Sequence, residues 1–348
     1  MKNSVILILL ITILIYSCNN SENELPTLDI EVKQIITDLD QMVLDNDGFI
    51  WGWGSNTTGL LGNNIQYNSF IPHKIDSLKN IVALECEAGG AYAVDEEGNV
   101  WYWGLRILWD TPNDSIIFTP KAISNISNVK QINILGSRIY FLKLDGTICY
   151  LSWNPYAPSR FILPTDVDDF DNIIQLSGLL ALNEEGVLCE IPDYENRDLE
   201  LGGLHSDSII SDVVYVQNKA SVYTIILKKD STVWSWGRNS SGYLGNGTLI
   251  DNSYPNRIDS LTHIISISIE GSRCLALNAN GEVYYWGLKY LDLDNNIKTC
   301  QTTPKLLSCI NNIQMIKAGG GSNSILINKD GSCWEFNFST GNYIEIFR

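Results

Sequence analysis

Metal, nucleophilic and proton-transfer chemistry rests mostly on histidine, cysteine and carboxylate side chains, and in this chain they do not converge. Its three histidines, His73, His205 and His263, are far apart, and no two share a His-x-x-x-His spacing. They read as polar surface positions. No Gly-x-Ser-x-Gly elbow is present. Gly319-Gly320-Gly321 precedes no helix pattern, so it reads as a permissive turn rather than a phosphate cradle. Neighbouring carboxylates occur in Asp45-Asn46-Asp47-Gly48 and Asp166-Val167-Asp168-Asp169. Glycoside hydrolysis needs two carboxyls facing each other across a cleft, whereas these lie in turn sequences and complete no calcium-loop pattern. No catalytic residue, metal ligand or cofactor site is therefore expected, and the chain is not read as an enzyme.

Eight cysteines occur, and Cys18 stands apart from the other seven, an odd number that cannot all pair internally. Cys149 and Cys189 fall where other copies of a repeat have tryptophan, which suits small buried hydrophobes. Cys300 and Cys309 flank one loop and strand and are the pair placed for a disulfide in an oxidising compartment.

These residues hang on a repeat. Turn anchors recur at Gly48, Gly98, Gly146, Gly186, Ser231, Gly281 and Gly331, in steps of 40–50 residues. Three past the anchor stand Trp51, Trp101, Trp234 and Trp334, and five past it Trp53, Trp103, Trp236 and Trp286. Four before it is always aliphatic, from Leu44 to Ile327. Alternating large residues on both sides of a Gly turn predict a β-hairpin. Upstream, a Pro-led pattern of period three, such as Pro72-Ile75-Leu78-Ile81-Leu84, predicts two more short strands joined by a polar turn like Asp76-Ser77. Four strands in each of seven copies predict an all-β, seven-bladed β-propeller of four-stranded antiparallel blades. Open edges must be managed, so the spare strand Tyr343 to Phe347 is expected to pair into the N-terminal blade and latch the ring.

Trp236-Gly237-Arg238-Asn239-Ser240-Ser241-Gly242-Tyr243-Leu244-Gly245 and Trp53-Gly54-Ser55-Asn56-Thr57-Thr58-Gly59-Leu60-Leu61-Gly62 resemble the signature of the regulator of chromosome condensation repeat. The resemblance covers about residues 30–348 and fades between about 146 and 231. It implies a seven-bladed ring. Relatives with that ring include a chromatin-bound guanine-nucleotide exchange factor and a secreted bacterial β-lactamase inhibitor that works through one propeller face, so a fold of this kind does not fix a function.

In such a ring alternate connections share a face. The longer ones, 105–119, 152–163, 192–208, 238–254 and 288–303, share one face, and the opposite face has only short turns. Binding residues tend to ride on long loops held by a rigid scaffold, and aromatic residues are enriched at binding hot spots. The expected partner-binding set is Tyr67, Trp109, Trp153, Tyr156, Tyr194, Tyr243, Tyr254 and Tyr290, with Arg138 and Arg273 as weaker candidates.

The N-terminus reads as a targeting segment. Lys2 precedes the apolar run Val5 to Tyr16, too short to span a bilayer. Leu14-Ile15-Tyr16-Ser17-Cys18 resembles the lipobox of bacterial lipoproteins, which implies cleavage before Cys18 and a lipid anchor on it. The expected organisation is a signal peptide over 1–17, lipidated Cys18 and a polar tether over 18–29, and a propeller over 30–348. The net charge of −17 argues against nucleic-acid binding. A monomeric, lipid-anchored envelope protein with a protein partner is the expectation. An enzyme or small-ligand binder with a site at the central mouth is the alternative, and exchange-factor activity fits poorly with an exported chain.

Overall fold

The computed structural model describes residues 8–9, 28–29, 32–37, 41–54, 56–64, 66–87, 89–105, 116–135, 138–152, 164–168, 170–191, 210–219, 222–292, 297–308, 310–319, 323–330 and 332–347. Ile8–Leu9 pairs with Leu28–Asp29 as a separate two-stranded ladder, and the rest form seven antiparallel blades, each built in chain order from an inner to an outer strand. Blade 1 comprises Val32–Thr37, Gln41–Asp45, Ile50–Gly54 and Ser69–Lys74. Blade 2 comprises Ile81–Glu87, Gly90–Asp95, Val100–Gly104 and Ile117–Ala122. Blade 3 runs from Val129–Leu135 to Thr165–Val167. In blade 4, which starts at Ile173–Ser177, the outer strand shrinks to a bridge between Leu188 and Ile210. Blades 5, 6 and 7 run from Val213–Lys219 to Asn252–Arg257, from Ile264–Glu270 to Ile297–Leu306, and from Ile313–Lys317 to Tyr343–Phe347.

Pro72, Pro120, Pro255 and Pro304 all lie on outermost strands, where a missing N–H interrupts no ladder. This also corrects the expected latch. Tyr343–Phe347 pairs with Cys333–Asn337 and completes blade 7, not blade 1. The Pro-led strand that opens each sequence repeat is the outer strand of the preceding blade. In the seventh blade the segment Tyr343–Phe347 supplies that strand. Blade 1 obtains all four strands from Val32 to Lys74. Where blades 7 and 1 meet, a cavity of about 110 Å³ is lined by Lys33, Gln34, Met315, Ile316, Lys317 and Ile327 among others.

Each inner strand has a register shift between its first and third residues, as at Ile81/Ala83, Ile173/Gln175 and Ile264/Ser266. The bulge puts two consecutive residues on the channel side and returns the first and fourth to the core. Ile81 and Leu84, Val129 and Ile132, and Ile264 and Ile267 are accordingly buried. That accounts for a period of three in a β protein.

Side chains on the channel side then join blades. Gln34 Nε2 donates to Leu84 O at 2.7 Å, Gln131 Nε2 to Leu176 O at 2.8 Å, and Gln175 Nε2 to Val216 O at 2.8 Å. Gln217 Oε1 accepts from Ile269 N at 2.6 Å, and Ser268 Oγ from Ala318 N at 2.9 Å. Each bond reaches from one inner strand to the backbone of the next. Between blades, apolar clusters fill the joints, such as Tyr223, Leu244, Ile267 and Trp286 between blades 5 and 6.

Candidate functional site

Of the carboxylates that invited a chemical reading, Asp45 is a turn fastener, Asp166 sits on the outer strand of blade 3 and pairs with Lys143 Nζ at 3.1 Å, and Asp169 lies outside the described residues. Asp45 is buried and accepts from Phe49 N and from Trp51 Nε1, both at 2.8 Å. Asp95 does the same for Asn99 N at 2.9 Å and Trp101 Nε1 at 3.0 Å. In blade 5 the device is rebuilt: Asp230 accepts from Thr232 Oγ1 at 2.6 Å, and that hydroxyl accepts Trp234 Nε1 at 2.9 Å. Hydrogen bonds from Thr232 and Thr147 hold the carboxyls of Asp230 and Asp145 below the usual aspartate range. The indole of the repeat tryptophan thus locks its own hairpin turn.

His73 bonds Ser69 Oγ at 2.7 Å, and His263 sits at φ 55 in a turn position where most other blades have asparagine. His205 lies outside the described residues. Among the described residues no group of three His, Cys, Asp or Glu could hold a metal ion. Cys149 and Cys274 are buried, and burial pushes both thiols up from their ordinary value; Cys189 is half-buried and shifted the same way. Cys18 and Cys309 lie outside the described residues. Arg138 is buried with its guanidinium over the Tyr150 ring, and Arg273 lies over Phe338. Burial lowers the pKa of Arg273.

The two signature segments fold the same way. Asn239 is fully buried in its loop. Its Oδ1 accepts from Leu244 N at 3.0 Å, its Nδ2 donates to Thr248 O at 2.9 Å, and its N donates to Asp251 Oδ1 at 2.7 Å. Asn56 repeats this with Leu61 N at 3.0 Å and Asn68 Oδ1 at 2.9 Å. Each folded loop then presents one carbonyl to the next blade. Trp103 Nε1 donates to Leu60 O, and Trp286 Nε1 donates to Tyr243 O, both at 2.7 Å. Gly62 is needed because a Cβ there would come within 2.8 Å of the Trp103 indole nitrogen, at φ +60. The signature is therefore a blade-joining device.

The same loops carry the exposed apolar side chains of the long-loop face. Tyr67 is 71% and Tyr254 58% exposed. Tyr243 is placed differently: its ring stacks on Tyr223 at 4.5 Å in the joint between blades 5 and 6, so it serves the fold. Tyr290 lies on the long strand Val283–Asp292, where its backbone pairs with Thr299. Trp109, Trp153, Tyr156 and Tyr194 lie outside the described residues. Leu249 and Ile250 also project from the blade 5 loop, with Ile250 73% exposed. They are aliphatic, so the enrichment of aromatic residues at hot spots does not point to them. The signal in the sequence is two adjacent aliphatics within the polar stretch Gly245-Asn246-Gly247-Thr248-Leu249-Ile250-Asp251-Asn252.

The regulator of chromosome condensation (RCC1) repeat model matches residues 47–94 and 230–277, the segments that contain the two folded signatures. The chain carries regulator of chromosome condensation repeats. Its relatives in sequence include the ultraviolet-B receptor UVR8 of Arabidopsis thaliana, 22% identical over 70% of this chain and 63% of that protein. The RCC1 domain-containing mitochondrial protein RUG3 of the same plant is 25% identical over 83% of this chain and 61% of its own length. An E3 ubiquitin-protein ligase, HERC2 of Homo sapiens, is 22% identical over 69% of this chain, which corresponds to 4% of the ligase. The chain thus spans less than two thirds of each of these relatives. Among solved structures, Prp20p of Saccharomyces cerevisiae superposes with a TM-score of 0.52 at 18% identity, covering 89% of this chain and 72% of that one. Human WBSCR16 superposes with a TM-score of 0.52 at 13% identity, covering 94% and 84%. These likenesses show a shared β-propeller fold.

Proposed function

We propose that this RCC1-repeat propeller is a lipid-anchored, protein-binding module of the cell envelope that works through its long-loop face. The observation that carries the reading is the blade 5 loop. Leu249 and Ile250 stand in water on a loop that Asn239 holds in one shape, and exposed Tyr254 follows on the outer strand Asn252–Arg257; apolar side chains on a preorganised support lose little freedom on binding. Tyr67 sits on the corresponding loop of blade 1. The yeast relative Prp20p was described with its binding to Gsp1p and histones and was crystallised with Kap60, so rings of this shape serve as protein-binding platforms.

The test is capture of envelope and secreted proteins on the immobilised chain beside a Tyr67→Ala, Ile250→Ser, Tyr254→Ala variant. Exposed substitutions of this kind change stability by no more than about 0.5 kcal/mol, so the variant stays folded. At least one specific prey is expected to fall by about tenfold or more on the variant, as hot-spot loss dictates. Prey sets that are identical on both baits would refute the long-loop reading. The anchor is tested separately. Cys18→Ala is expected to abolish incorporation of a labelled fatty acid and to move the chain from the membrane fraction to the soluble fraction. Unchanged labelling would remove the lipoprotein reading.

A further inference from the structure

The short-turn face, opposite the loops, has an apolar feature of its own. The bulge of each inner strand turns its second and third residues toward the channel mouth. In five blades an apolar side chain stands exposed there: Val82, Ile174, Val214, Ile265 and Met315, ranging from 39% for Val82 to 54% for Ile265. The bulge geometry does not demand this, because the second position is Lys33 and Lys130 in the remaining two blades and Gln314 in blade 7, where Met315 at the third position supplies the apolar side chain. Side chains from separate blades converge on one opening, and an apolar patch that is assembled in this way and left in water marks a contact surface. Beside it, the short turns and connections of blades 2 to 5 carry exposed Glu96, Glu97, Asp145, Glu184, Glu185 and Asp212, which outnumber the exposed Lys79 and Lys229 there.

From this juxtaposition we infer that the short-turn face docks a basic segment of another protein, whose apolar side chains cover the channel mouth while its lysines or arginines meet the acidic crescent. Charge complementarity selects this occupant. Nucleic acid and anionic membrane surfaces carry the same sign as the crescent, and a second copy of a chain of net charge −17 brings the same sign again. The surface is distinct from the long-loop face and does not depend on the reading given for that face.

The experiment uses fluorescence anisotropy of a labelled peptide with a Leu-Phe-Ile-Leu centre flanked by lysines, titrated with the chain. Saturable binding that weakens as salt is raised is expected. An Ile174→Ser, Val214→Ser, Ile265→Ser variant is expected to bind about tenfold more weakly or worse, with an unchanged unfolding midpoint. A peptide with an alanine centre is expected to lose affinity to a similar degree. The Tyr67, Ile250, Tyr254 variant is expected to bind like the parent. The inference is overturned if the parent chain shows no saturable binding, if the serine variant binds equally well, if a glutamate-flanked peptide binds as tightly, or if the long-loop variant also loses the peptide.

Discussion

Trp286→Ala is expected to destabilise the ring by about 3–5 kcal/mol, the range for emptying a buried aromatic site. Two losses coincide at this position. The indole is fully buried between blades 5 and 6, against Leu244, Cys274 and Ile258, so its removal leaves a cavity that a closely packed joint cannot collapse to fill. The indole N–H is also the donor to Tyr243 O at 2.7 Å, and without it a carbonyl that closes the signature loop is left without that donor. Trp103→Ala should behave alike, since its indole makes the same bond to Leu60 O between blades 1 and 2. Trp234→Ala should cost distinctly less. That indole is half-buried and bonds a hydroxyl of its own hairpin turn, so no blade joint depends on its N–H. Denaturant unfolding midpoints of the three variants check the ordering. Equal losses would mean that the tryptophans five past the anchor are no more involved in joining blades than those three past it.

The ordering follows from a distinction that the sequence shows only in part. Spacing puts Trp234 and Trp236 on one face of a strand, and it gives the hairpins and the seven copies correctly. It does not say which neighbour each side chain meets. Trp236 is fully buried in the joint between blades 4 and 5, while Trp234 packs at its margin. Tyr243 looked like a loop aromatic available to a partner, because its commitment to Tyr223 arises only when two blades come together. The misplaced latch has a similar origin. A repeat read from proline to tryptophan is offset from a blade by one strand, and no local pattern reveals the offset. The period of three was visible, but the bulge that causes it depends on pairing with the second strand. The apolar channel mouth was hidden for the same reason: Ile174 and Ile265 sit next to core residues Ile173 and Ile264, and as sequence they are indistinguishable from them.

Asn239→Leu tests whether the signature loop links stability to binding. Leucine fills nearly the same space but offers neither acceptor nor donor. Leu244 N–H, which the amide oxygen satisfies at 3.0 Å in a buried position, loses its partner, as does Thr248 O at 2.9 Å. Thr248 is exposed and water can replace the donor to its carbonyl, so the buried Leu244 N–H dominates, and the expected loss is about 1–3 kcal/mol. The effect should be local before it is global. Amide exchange is expected to quicken across 239–251, while the inner strand Val213–Lys219 keeps its protection. Leu249 and Ile250 would then be displayed on a loop of many shapes, and any prey that depends on them should weaken as much as it does when those side chains are removed outright. Asn56→Leu is the matching control, because it loosens the blade 1 loop through the lost bond to Leu61 N and leaves the blade 5 loop intact. A prey lost with Asn239→Leu and kept with Asn56→Leu, at similar unfolding midpoints, would assign the contact to blade 5. Unchanged exchange at 239–251 would mean that the asparagine does not hold the loop, and the argument that its apolar side chains are preorganised for binding would fall with it.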